Sequence, residues 1–177
     1  PSVIYGLIGI YVLNPAIYRL ERKIFAGSGT HRYTGGVNLL SASLVLAVMI
    51  LPTVIHISET AIRAVSPEIR KGSLALGASG IQTIFRCILP GARSGIFAAV
   101  VLGVGRAVGE AMAITLVSGG SVNAPFPFQS VRFLVSEMAY AQGLHRQALF
   151  TIGLVLFGFI ILVNGTADIF SGKGAGK

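Results

Sequence analysis

Four stretches of the chain are almost free of charge, and each is close to the roughly 20 residues a helix needs to cross about 30 Å of hydrocarbon. Residues 1–18 hold no charged side chain, and charge arrives at once with Arg19, Glu21, Arg22 and Lys23. Residues 37–58 and 147–167 are uncharged again, with Leu, Val and Ile dominating. Residues 94–118 are as apolar as the others except for Arg106 and Glu110 at their centre. Only helices or closed barrels satisfy the backbone inside lipid, and none of these runs shows the alternation of a barrel strand. The pattern therefore predicts an all-α fold, a polytopic transmembrane helical bundle. Its connectors would be 19–36, 59–93 and 119–146, with a short tail at 171–177.

Composition agrees. Charged residues are 11% of the chain, well below the quarter or so usual in soluble domains, which argues against an apolar soluble helical domain. The chain opens at Pro1-Ser2 directly on an apolar run, so an N-terminally incomplete protein is expected and the lack of a leader carries no information. A single cysteine, Cys87, excludes an internal disulfide and a cysteine-rich metal site. His31, His56 and His145 lack ligand spacing, so no metal is expected. The net charge of +8 is dispersed through the connectors without a nucleic-acid-binding motif, so no nucleic-acid partner is expected. Basic residues divide seven to six between the two sides, counting 59–93 with the tail against the other connectors. The positive-inside rule thus leaves orientation undecided.

The connector 59–93 is the most organised polar segment. Ser66 is suited to an N-cap, with Pro67 at the first helical position and Glu68 in the first turn. Gly77 can end that helix in a left-handed cap. Ser79 and Gln82 have the spacing of a capping box opening a second short helix, whose apolar face is Ile81, Ile84, Phe85 and Ile88. Pro90 is expected to close it. Two readings fit a helix–turn–helix at the membrane surface: an amphipathic interfacial hairpin without a partner, or a docking element.

Lys71-Gly72-Ser73, three residues, Gly77, nine residues, then Cys87-Ile88-Leu89-Pro90 resembles the EAA loop of ABC importer permeases, E-A-A, three residues, Gly, nine residues, I-x-L-P. Gly77, Leu89 and Pro90 match by identity. Lys71, Gly72 and Ser73 depart from E-A-A, and Cys87 replaces Ile. The resemblance implies a type I (MetI-like) permease fold with this loop in the cytoplasm, docked on an ATP-hydrolysing subunit. The coupling residues it implies are Lys71, Gly72, Ser73, Leu76, Gly77, Ala78, Phe85, Leu89 and Pro90.

Arg106 and Glu110 stand i,i+4, a spacing that on one helix would pair them. A central Arg in a span must face protein, water or a partner charge. The pair either neutralises itself and fixes helix register, or lines an anion path. In the second case Arg106 would offer donors to a tetrahedral oxyanion and Glu110 would limit how tightly it is held. Residues 105–114, GRAVGEAMAI, resemble the G-R-A-x-G-E-T-M-A-V segment of phosphate permeases of the PstC type, with Ala111 in place of Thr. Residues 1–6 and 143–157 resemble the same type.

The resemblance implies a translocation subunit of a phosphate importer in a prokaryotic cell membrane. Its partners would be a PstA-like second permease, cytoplasmic ATP-binding subunits carrying ATP and Mg, an extracytoplasmic phosphate-binding protein and membrane lipid. The chain has no phosphate-cradling G-x-x-x-x-G-K-[ST] and no nucleophile–base pair, so it is expected to be neither an enzyme nor a cofactor-binding chain. An importer of another oxyanion on the same scaffold, and a channel or secondary transporter without an ATPase, are the alternatives.

Overall fold

The computed structural model describes residues 2–27, 29–140 and 143–172. Among these the helices are α1 Ser2–Ile24, α2 Leu39–Arg63, α3 Pro67–Ala75, α4 Gly80–Val108, α5 Met112–Ser118, α6 Leu134–Tyr140 and α7 Gly143–Gly172. No strand forms among the described residues; Gly119 and Val131 make an isolated bridge. Four helical stretches are long and apolar enough to cross a membrane: α1, α2, α4 and Arg146–Thr166 within α7. The expected all-α, polytopic class is what is found. Pro1 and most of the expected tail, residues 173–177, lie outside the described residues.

The span limits shift where helix propensity outruns apolarity. Arg19, Leu20, Arg22 and Lys23 are good helix formers, so α1 continues through the first charges to Ile24. α2 likewise runs past the expected end at 58 to Arg63, where Glu59 and Arg63 pair across one turn at 2.8 Å.

Pro90 does not close the second short helix, contrary to the expectation. That helix and the next span are one continuous element, α4. Proline in a helix interior lacks a donor and its ring collides with the carbonyl four residues back. Here the turn before it, Ile84–Ile88, is a π-turn in which Leu89 N–H reaches back five residues to Ile84 C=O. Widening the ladder at that point lets the helix carry the proline. The same device occurs in α1, where Gly9–Leu13 is a π-turn, Asn14 N–H reaches Gly9 C=O, and Pro15 follows.

The chain divides into two compact units. In the first, residues 1–49 and 107–158, Ala42, Val45, Ala113 and Val117 form the buried core, with Tyr5, Ile10, Leu13, Leu116 and Phe133 packed on it. Small residues set how closely these helices approach. A Cβ at Gly6 would lie 2.6 Å from Leu116 Cδ1, and one at Gly9 would lie 2.6 Å from Val117 Cγ1. The N-terminus of α2 is satisfied from several directions. Asn38 Oδ1 accepts from Ser41 N–H at 3.0 Å, while Leu39 and Leu40 N–H donate to the carbonyls of Gln129 and Pro127.

In the second unit, residues 50–106 and 159–177, α4 meets the C-terminal half of α2 along a glycine stripe. A Cβ at Gly95 would lie 2.4 Å from Ala61 Cβ, and one at Gly103 would lie 2.6 Å from Val54 Cγ2. Gly91 faces Val65 in ordinary contact.

Candidate functional site

The hairpin after α2 is built as its sequence predicts. The Ser66 side chain accepts from Glu68 N–H at 3.2 Å, with Pro67 opening α3. Gly77 takes φ +83°, a left-handed conformation that only glycine adopts freely, and ends α3. Ser79 and Gln82 complete the capping box: Ser79 Oγ accepts from Gln82 N–H at 3.2 Å and Gln82 Oε1 accepts from Ser79 N–H at 3.0 Å.

What spacing did not reveal is the polar bolt inside the hairpin. Thr83 is buried at 1% exposure. Its hydroxyl lies 3.0 Å from Ser73 Oγ on α3 and 3.0 Å from Ser79 C=O, and Cys87 Sγ sits 3.7 Å from Ser73 Oγ. Two departures from the EAA pattern, Ser73 and Cys87, are therefore in contact with each other.

The outer surface of the hairpin carries large exposed apolar side chains among its charged ones. Leu76 at the turn is 90% exposed, Ile81 71% and Phe85 66%. Lys71 and Gly72 are exposed, Ser73 and Ala78 half-buried, and Leu89 and Pro90 lie in the first turn of the α4 segment that continues into the span. A surface carrying this much apolar area on short capped helices is suited to a protein groove or a bilayer.

The expected second site takes a different form. Residues 94–118 do not make one helix: α4 ends at Val108, residues 109–111 are non-helical, and α5 begins at Met112. Arg106 and Glu110 are consequently not i,i+4 on one continuous face. Arg106 is exposed in the last turn of α4, where a cation suits the helix dipole. The Glu110 carboxylate serves the following helix, with Oε1 accepting from Ala113 N–H at 3.1 Å. Gly109 is a weak helix former at the point where α4 ends, and the Glu110 carboxylate then satisfies one of the free N–H groups that open α5. Ion pairs among the described residues are His31–Glu21, Glu59–Arg63 and Arg132–Glu137. The break leaves a guanidinium and a carboxylate near the two ends of an interrupted helix in an apolar segment.

Two polar features escaped the sequence reading. Asn164, in the run 147–167, has a buried Oδ1 without a hydrogen-bond partner, and a Cβ on Gly105 would lie 3.0 Å from it. Gly105 thus makes room for the Asn164 amide, and a buried acceptor without a partner is unusual enough to mark the spot. Glu21, which the charge pattern assigns to a connector, is fully buried at 0% exposure. Its Oε1 lies 2.9 Å from His31 Nε2, and Thr34 donates to it from both N–H (3.1 Å) and Oγ1 (3.1 Å to Oε2). Phe25 stacks on His31 at 3.8 Å. Around this group Asn38 Nδ2 donates to Thr34 Oγ1, and the Ser41 hydroxyl donates to Asn14 Oδ1. The only signal in the sequence was an acid flanked by bases and followed at a distance by His31. His145 belongs to a stretch whose side chain is not described. Among the described residues no cluster of His, Cys, Asp and Glu is arranged to hold a metal.

Residues 1–173 match the family described as binding-protein-dependent transport system inner membrane component. The chain is 39% identical over 175 residues to the probable ABC transporter permease protein YqgH of Bacillus subtilis, covering 93% of this chain and 53% of that protein. It is 33% identical to the phosphate transport system permease protein PstC of Haemophilus influenzae, covering 92% and 56%. It is 32% identical to PstC 2 of Mycobacterium tuberculosis, covering 97% and 58%. The chain therefore spans little more than half the length of the relatives it matches. No solved structure matches it.

Proposed function

The chain belongs to the family of binding-protein-dependent transport system inner membrane components, and from that premise we propose that it is the translocation subunit of an ATP-driven importer of inorganic phosphate. It is a multi-pass inner-membrane protein of the ABC permease kind. The observation that carries the finer reading is the interrupted helix at 106–112, where Arg106 and Glu110 lie in an otherwise apolar segment. An ionisable residue inside a span is a strong pointer to a transport path, and interrupted helices are a recurring way of building one. Arg106 presents fixed donors to a tetrahedral oxyanion. Glu110, four residues further along, is assigned the role of limiting how tightly the anion is held.

In this reading the hairpin of α3 and the start of α4 lies in the cytoplasm and docks on the ATPase subunits through Leu76, Ile81 and Phe85. Because α4 passes through Pro90 without ending, a displacement of the hairpin is transmitted along one continuous helix to Arg106. The pore is completed by a second, PstA-like permease, and an external binding protein delivers phosphate. Names of relatives support phosphate as substrate, since several are PstC proteins. The test is ATP-dependent accumulation of labelled phosphate by the reconstituted complex, with sulfate and molybdate as competitors. Competition only at large excess is expected. Equal competition by either would move the assignment to another oxyanion, and accumulation without ATP would replace it with a channel or secondary transporter.

A further inference from the structure

A second polar feature belongs to the first compact unit. The connectors between α1 and α2 and between α5 and α6 enclose a cavity of about 490 Å³ within the first compact unit. Its lining is polar except for Val122, and it holds Arg32 and His31 but no acidic side chain. The buried Glu21 is engaged by two of the lining residues, His31 and Thr34.

The walls are tied in place. Gln129 C=O and Pro127 C=O hold the N-terminus of α2, Asn123 Nδ2 donates to Ser130 C=O at 3.0 Å, and Phe25 meets Phe128 edge-on at 5.6 Å. Four lining side chains that can donate hydrogen bonds make none to the protein among the described residues: Thr30 and Arg32 from one connector, Ser121 and Gln129 from the other. Uncommitted donors converging on a fixed concave surface, with a guanidinium and without a carboxylate, have the chemistry of an anion site.

We propose that this cavity binds a small tetrahedral oxyanion, with Arg32 as the charged contact and Thr30, Ser121 and Gln129 as neutral donors. Glu21 orients the His31 ring that forms part of the wall. With one exposed guanidinium the binding is weak and salt-sensitive, since solvent and ions screen such a contact. The site therefore gathers anions and does not store them. Binding here is independent of the translocation reading; only its use as an entry vestibule rests on that reading.

The test uses the intact transporter in a phosphate-free maltoside detergent, without its external binding protein, and inorganic phosphate as the probe. Phosphorus NMR line broadening reports millimolar-range binding. Arg32→Gln is expected to weaken the interaction about fivefold, the size of one exposed charge contact. Val122→Trp, which fills the mouth without removing a donor, is expected to do likewise, and sulfate is expected to compete. In Arg106→Ala, which removes the anion contact of the translocation path, the broadening that remains is expected to keep its sensitivity to Arg32→Gln. Equal broadening in wild type, Arg32→Gln and Val122→Trp would overturn the proposal. So would broadening lost in Arg106→Ala alone, which would place the anion on the translocation path. ATP hydrolysis by each variant confirms an assembled complex.

Discussion

Ser73 Oγ and Thr83 Oγ1 lie 3.0 Å apart across the glycine turn that joins α3 to α4. The contact closes the hairpin from the inside, while Gly77 and the Ser79–Gln82 capping box shape it from the ends. A short element passes on a push only if it does not hinge, and this hydroxyl pair resists opening. Thr83→Val keeps the shape but leaves Ser73 without its neighbour in a half-buried site. The expected cost is about 1–2 kcal/mol of local stability. Hydrogen exchange in residues 70–85 would accelerate, and ATP hydrolysis would proceed with less uptake per ATP. Unchanged exchange protection would mean that the hydroxyl pair does not hold the hairpin.

The exposed apolar tip makes a separate prediction. Leu76→Asp or Phe85→Asp places a charge on the apolar surface proposed to dock on the ATPase subunits, and such a charge is costly to bury unpaired. Each is expected to abolish co-purification of the ATPase with a permease that still reaches the membrane. Neither Leu76 nor Phe85 supports the fold, being 90% and 66% exposed, so loss of expression would point to a different role.

Glu21 is expected to matter more for stability than any exposed acid. Replacing it with Ala leaves the Thr34 donors and His31 facing a void, an expected loss of about 3 kcal/mol because buried donors lose their acceptor. His31→Ala leaves both Thr34 donors in place and is expected to cost nearer 1 kcal/mol. Thermal melting of the purified complex would rank the two, and a larger effect from His31→Ala would contradict the arrangement.

Glycines along α4 and α7 divide by what faces them. At Gly95 a Cβ would overlap Ala61 Cβ at 2.4 Å, whereas at Gly158 nothing lies within 4 Å. Gly95→Ala is expected to destabilise by about 1–3 kcal/mol through overpacking. Gly158→Ala is expected to be neutral or to stabilise slightly through helix propensity. Comparison of the two melting temperatures checks the α2–α4 packing directly.

Much of this architecture was legible in the residue order. The four spans follow from uncharged runs, and the hairpin follows from Ser66, Gly77 and Ser79–Gln82, because caps and turns are decided by neighbours a few residues apart. The less legible features depend on long-range contacts or on competition between local rules. Glu21 reads as a connector charge because nothing nearby announces that His31 and Thr34 will enclose it. Pro90 reads as a stop because the π-turn that accommodates it has no marker of its own. At 109–111 two local rules compete: Arg106 and Glu110 have helical pairing spacing, yet Gly109 and the capping carboxylate of Glu110 end one helix and begin another. Asn164 reads as one polar residue in an apolar run because nothing near it in the chain marks Gly105 as its neighbour.

Arg106 is proposed to belong to the path of a transported oxyanion. The most direct test is ATP-dependent uptake of labelled phosphate into proteoliposomes holding the complete transporter with Arg106→Ala, beside Arg106→Lys and wild type. Arg106→Ala is expected to assemble with the ATPase and still hydrolyse ATP but accumulate no phosphate, while Arg106→Lys retains a reduced rate because a point charge remains without the planar fork. Wild-type uptake by an assembled Arg106→Ala transporter would contradict it.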